Sequence, residues 1–119
     1  MKFECQNDLF EMSGKLYPCT VSLAMDIIGG KWKTVILYHL KDSKKRYSEL
    51  RKDMPTVTER TLSLQLKELQ KDGMVSRTVY GVKPPIRVEY CLTNFGQSFL
   101  PVLQAITNWG NQIASESAT

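Results

Sequence analysis

The residues with the most chemical potential lie in the string Thr58-Glu59-Arg60-Thr61-Leu62-Ser63-Leu64-Gln65-Leu66-Lys67-Glu68-Leu69-Gln70-Lys71. Leu62, Leu66 and Leu69 recur at i, i+4 and i+7, the spacing of one buried helical face. At roughly 100° per residue, Arg60, Ser63, Leu64, Lys67 and Lys71 then project from the other side. That mixture suits the major groove of duplex DNA. An arginine fork pairs with guanine O6 and N7, a serine hydroxyl with several base edges, and an exposed leucine with a thymine methyl. Thr58 and Thr61 place two further hydroxyls at the start of the same helix, and Lys67 and Lys71 suit phosphate. Lys83 and Arg87 form a second basic pair for phosphate or minor-groove contact, with Arg77 a weaker candidate. The bland alternative for each is a solvated surface.

Other chemistry is thinly supplied. The cysteines sit at positions 5, 19 and 91, an odd number without a Cys-x-x-Cys pair, so neither a disulfide framework nor a zinc site is indicated. His39 is the only histidine and is expected to pack at a helix edge. No triad and no His-rich metal site can be assembled from these parts, so the expectation is a protein that is not an enzyme and carries no cofactor. One thiol stands out. Cys19 precedes a helix N-terminus, where the dipole favours thiolate, which makes it a candidate redox sensor. A lone cysteine also packs inertly, and that alternative stays open. Cys5 could act as its resolving partner, within a chain or across a dimer.

Charge is unevenly spread. From Lys31 to Arg87 there are 14 Lys and Arg against 6 Asp and Glu, a balance of +8, while the remainder has 2 against 6, a balance of −4. The positive charge is concentrated centrally, as a phosphate-binding surface requires. With 119 residues, 42% of them hydrophobic and 24% charged, the chain reads as one modest domain that pairing would help to stabilise. No apolar run approaches the ~18 residues of a membrane helix, and the N-terminus lacks the layout of a signal peptide. The expected location is cytoplasmic.

These residues need elements to position them. Residues 1–17 read as an irregular arm, with Gly14 and Pro18 as breakers. Thr20 can cap a helix carrying Val21, Leu23, Ala24, Ile27 and Ile28, which Gly29-Gly30 stops. A second helix runs from about Lys31 to Leu40, with Trp32, Val35, Ile36 and Leu40 on one face. After a polar loop and a short extended Arg46-Tyr47, Ser48 can cap a third helix ending near Met54. A fourth runs to Asp72, capped by Thr56 with Glu59 closing a capping box, or by Thr58. Residues 48–73 are therefore a helix-turn-helix. Residues 74–92 read as a β-hairpin with a basic tip from Gly81 to Arg87, which is a wing.

In residues 93–115, Thr93 caps a segment in which Phe95, Phe99, Val102, Ile106, Trp109 and Ile113 form a coiled-coil-like seam. Pro101 must kink this segment or split it in two. So large an apolar stripe is expected to form a dimer interface together with part of the N-terminal helix, the alternative being that it packs on its own core. The fold expected is mainly α with a small β-hairpin, a winged helix-turn-helix.

Together these residues resemble a known family. The string Pro18-Cys19-Thr20-Val21, Leu23 and Asp26-Ile27-Ile28-Gly29-Gly30-Lys31-Trp32 is similar to the opening of HxlR-type, MarR-like regulators. So are Arg46-Tyr47-Ser48-Glu49-Leu50, the block from Leu62 to Leu69 with Asp72-Gly73, the run from Arg87 to Thr93, and Leu100-Pro101-Val102-Leu103 with Trp109-Gly110. The resemblance spans about residues 18–112. It implies a dimeric winged-helix regulator of bacterial type, pairing through N- and C-terminal helices on palindromic operators and often repressing detoxification or stress genes. It also implies that a cysteine matching Cys19 senses oxidants or electrophiles in some members. Glu59 departs from the proline that often follows the capping residue in the family, which leaves the start of the recognition helix open. Cys91 falls where small polar residues are common and reads as structural. A winged helix used only for protein contact is the competing function, but such a hairpin has no need of Lys83 and Arg87. No ligand motif is visible, so a small-molecule or electrophile effector stays open.

Overall fold

The computed structural model describes residues 10–12, 14–17 and 19–117, which fall into two compact units, one ending at Lys31 and the other beginning at Trp32. The sequence reading has a single domain, with residues 1–17 irregular. In the first unit, β1 (Phe10–Met12) and β2 (Lys15–Tyr17) instead pair antiparallel, with Phe10 opposite Tyr17 and Met12 opposite Lys15. Gly14 lies between them at φ +80°, a conformation that favours glycine. The Tyr17 hydroxyl donates to Asp26 at 2.7 Å and Lys15 donates to the same carboxylate at 3.1 Å, tying the hairpin to α1 (Thr20–Ile28). Strands of three residues are too short to show an alternating pattern, which is why this hairpin escapes a reading of the sequence. The cap position of α1 falls at Cys19 rather than Thr20, without a side-chain cap bond.

The second unit carries α2 (Lys33–His39), β3 (Lys45–Arg46), α3 (Tyr47–Asp53), α4 (Glu59–Lys71), β4 (Val75–Tyr80), β5 (Arg87–Leu92), α5 (Asn94–Gln97) and α6 (Leu100–Ser117). Its core is aliphatic, with Ile36 and Leu37 of α2, Leu50 of α3, and Leu62, Leu66 and Leu69 of α4 fully buried. Complete burial of such side chains contributes roughly 1.5–3 kcal/mol each, enough to hold three short helices that would be marginal alone. The second strand order is β3-β5-β4, antiparallel throughout, with Val75 opposite Leu92 and Tyr80 opposite Arg87 in the hairpin. Lys45 and Arg46 add the short third strand opposite Tyr90 and Glu89.

Local signals account for most boundaries. Thr58 caps α4, accepting from the Thr61 amide at 3.1 Å, so Thr56 is not the cap. Gly73, at φ +78°, ends that helix. Ser48 does not cap α3. Arg46 holds that position, and its backbone N–H donates to the Glu49 carboxylate at 2.9 Å, because pairing of β3 with β5 keeps the backbone extended through Arg46. Thr93 accepts from the Gly96 amide at 3.0 Å and starts α5, and the segment then splits rather than kinks. Pro101 falls in the first turn of α6, where a missing N–H leaves no helical bond unmade.

Candidate nucleic-acid interface

The candidate surface lies on α4. With Leu62, Leu66 and Leu69 buried, Arg60, Ser63, Leu64, Lys67 and Lys71 are all exposed, and Leu64 keeps 51% of its surface open to solvent. An apolar side chain so exposed on a helix otherwise rich in charge fits contact with a methyl group better than it fits water. Thr58 and Thr61 are occupied with each other. Thr58 accepts the Thr61 amide and donates its own hydroxyl to Thr61 Oγ1 at 2.9 Å, so their first task is to start the helix.

The turn before α4 is braced from α3. The Arg51 guanidinium donates to the Val57 carbonyl and lies 3.9 Å from the Glu59 carboxylate. This places a cation beside the negative charge at the head of the recognition helix, where the helix dipole also favours a carboxylate. From behind, buried Lys33 of α2 pairs with Glu68 of α4 at 3.0 Å. Tyr47, the first residue of α3, completes the support. Its hydroxyl lies 3.3 Å from the Glu59 carbonyl, to which it donates, and 3.2 Å from Ser63 Oγ.

The hairpin supplies a second cationic surface. Lys83 is exposed at the tip and Arg87 at the first position of β5. The Arg87 guanidinium lies over the Tyr80 ring, 4.9 Å from its centre, and Lys44 approaches the same ring at 5.9 Å. Arg46, Tyr47 and Ser48 of the α3 start face Tyr80, Gly81 and residues 85–88 across an open cleft of about 630 Å³. Lys44 is also held by Glu89, 3.6 Å away, whose side chain is largely buried and whose Oε2 has no hydrogen-bond partner among the described residues. The cleft thus carries an arginine on each wall, Arg46 on one and Arg87 on the other, a concentration of positive charge that attracts anions.

Sequence reasoning passes over Lys44, Arg46, Tyr47 and Tyr80. Their signal was Arg46-Tyr47 at the junction of a strand and a helix, but their proximity to the wing depends on β3 pairing with β5, which no local pattern encodes. Arg77 lies on the exposed part of β4, outside this cleft.

The seam residues divide. Phe95, Val102, Ile106, Trp109 and Ile113 are exposed, with Trp109 at 66%, whereas Phe99 is buried in its own chain with Leu103. Phe99 falls in the turn between α5 and α6, on neither helix. Cys19 is buried and disulfide-bonded, with its sulfur 3.6 Å from Ser22 Oγ. Cys91 is a free, exposed thiol on β5. Cys5 lies outside the described residues. Among the described residues no group of His, Cys, Asp and Glu could hold a metal ion, and no helix is long and apolar enough to cross a membrane.

Comparison with known proteins places this geometry. An HxlR-like helix-turn-helix family matches residues 27–118. The HTH-type transcriptional regulator YdeP of Bacillus subtilis is 51% identical over 94 residues, covering 79% of this chain and 73% of its own. The redox regulator HypR, in its oxidized form, superposes with a TM-score of 0.75 at 46% identity, covering 79% of this chain and 96% of that one. The transcriptional regulator YodB of B. subtilis, in its reduced form, reaches a TM-score of 0.68 at 30% identity, covering 78% and 90%.

Proposed function

The chain belongs to the HxlR-like helix-turn-helix family and is a transcriptional regulator with a helix-turn-helix DNA-binding fold; from that premise we propose that it acts in the cytoplasm as a homodimeric repressor on a palindromic operator. The observation that carries this reading is the exposed Arg60, Ser63, Leu64 and Lys67 face of α4 standing beside the basic cleft of the wing. In this reading Arg60 and Ser63 touch base edges and Leu64 a thymine methyl. Thr58, Thr61, Lys67, Lys71, Lys83 and Arg87 hold the phosphate backbone, joined by Arg46. The exposed residues Phe95, Val102, Ile106, Trp109 and Ile113 meet a second copy, which sets two recognition helices about 34 Å apart, the spacing of successive major grooves. Removing such large apolar groups from water is the driving force for pairing.

Regulation in this proposal runs through thiol chemistry. Cys19 is already an oxidised sulfur in a buried setting, and two structural relatives bear names or states that are redox in kind. Cys5 is the resolving thiol in this reading, and the effector is an oxidant or electrophile rather than a cofactor. The test of the DNA reading is the salt dependence of binding to random duplex and to fragments selected from genomic DNA. Log affinity should fall linearly with log salt for both, with the selected fragments held tighter. A salt-independent interaction, or no binding to either, would refute it.

A further inference from the structure

The hydroxyl of Tyr47 has one proton to give and two oxygen neighbours, and we assign that proton to the Glu59 carbonyl. The Glu59 carbonyl can only accept, and Tyr47 lies in donating geometry 3.3 Å from it. The phenol oxygen is then left as an acceptor toward Ser63 Oγ at 3.2 Å, so the Ser63 proton points at Tyr47. A helical serine otherwise sends its proton back to the carbonyl four residues earlier, which here is the Glu59 carbonyl that Tyr47 already engages. With its proton committed, Ser63 faces solvent with lone pairs alone. A free serine reads donors and acceptors alike. A serine held in this way reads only donors.

We propose that Tyr47 is a specificity-positioning residue, which by fixing the Ser63 hydroxyl as an acceptor makes one operator position select an amino-bearing base, adenine or cytosine, on the contacted strand. This rests on the reading that the exposed face of α4 enters the major groove. Every base pair shows one exocyclic amino group there, adenine N6 or cytosine N4, and the partner base shows a carbonyl acceptor. An acceptor-only serine therefore distinguishes the strand that carries the amino group. Tyr47 acts through Ser63 and need not touch DNA.

The experiment is selection from a randomised duplex library by the full chain and by S63A and Y47F, followed by sequencing and measured affinities. Wild type should enrich adenine or cytosine over guanine or thymine at one position of each half-site. S63A should lose that preference, and Y47F should relax it by roughly 3- to 10-fold, the value of a single hydrogen bond, while base preferences at the other positions hold. A second arm changes the DNA instead of Tyr47. In the selected site, adenine is replaced by purine, or cytosine by 2-pyrimidinone, removing the amino group. Affinity should fall by a similar factor, and S63A should add no further loss on the altered duplex. An unchanged Y47F profile, a Ser63-dependent preference for guanine or thymine, no Ser63-dependent position, or indifference to the missing amino group would each overturn the proposal while leaving DNA binding intact. Failure to bind any duplex would remove the DNA reading itself, and the proposal with it.

Discussion

Gly96→Ala should destabilise the second unit because Gly96 of α5 sits hard against the start of the wing. A Cβ built there meets the Met74 carbonyl oxygen far inside van der Waals contact, lies 3.1 Å from the carbonyl carbon, and reaches the Leu92 Cβ at 3.4 Å. The first two are backbone atoms and cannot rotate away, so α5 must retreat by roughly an ångström. Two donors cross this contact, the Thr93 amide and the single Thr93 hydroxyl proton, which two carbonyls share. The Thr93 amide donates to the Met74 carbonyl at 3.1 Å, and the Thr93 hydroxyl reaches the Met74 carbonyl at 3.2 Å and the Gly73 carbonyl. Each contributes about 0.5–1.5 kcal/mol, and a shift that weakens both, together with about 1–3 kcal/mol of disturbed packing around Leu92, costs about 2–4 kcal/mol. For a chain of this size that lowers the melting temperature by roughly 8–16 °C. Urea and thermal unfolding of the full chain supply the measurement. Since Met74 leads directly into β4, affinity for random duplex should fall as well. A variant within about 0.5 kcal/mol of wild type would show that α5 and the wing are not held by this close approach.

Four further outcomes are expected. Arg60→Ala should relax base preference and cost about 1–3 kcal/mol at the selected site, whereas Lys83→Ala should weaken all duplexes alike and lower the salt slope by about one unit; equal losses on both DNAs in both variants would refute direct readout by Arg60. Trp109→Glu should turn a dimer into a monomer in sedimentation at micromolar concentration, since Trp109 is 66% exposed in the isolated chain, and a wild type already monomeric would sink the seam as an interface. Starting from protein whose Cys19 disulfide has been reduced, titration with diamide should change operator affinity for wild type and for Cys91→Ser but not for Cys19→Ser, and a Cys19→Ser response equal to wild type would make that residue packing material. Burial holds His39 below its ordinary 6.5, outweighing the Asp53 carboxylate, while the hydrogen bond from Lys45 holds Asp53 below 3.8. Both groups are depressed in the fold, so their stabilisation is present above those ordinary values and is lost as pH falls; His39→Gln should remove the step that begins near pH 6.5, and an unchanged urea midpoint profile would refute it.

The recognition helix was legible in sequence because everything that makes it is local. Three leucines at i, i+4 and i+7, a threonine cap and a terminal glycine specify α4 and, with it, which side chains stay in water. The wing follows from the same kind of signal, with β-rich runs on either side of a Gly- and Pro-bearing tip. The break at Pro101 was legible as an event but not in kind, because a kink and a split place the same demand on the proline ring. Tertiary structure decided the rest. Asp26 of α1 gathers Lys15 and Tyr17 from the hairpin of β1 and β2, a meeting that no local pattern encodes. Phe99 has the spacing of a seam residue and is buried nonetheless, in the turn between α5 and α6 where helical spacing no longer applies. The cleft of Arg46 and Arg87, and the bond between Tyr47 and Ser63, join residues 41 and 16 positions apart in the chain. Periodicity reports which face of an element is buried; it carries no information about which other element arrives there, because that choice is made by packing among many distant side chains at once.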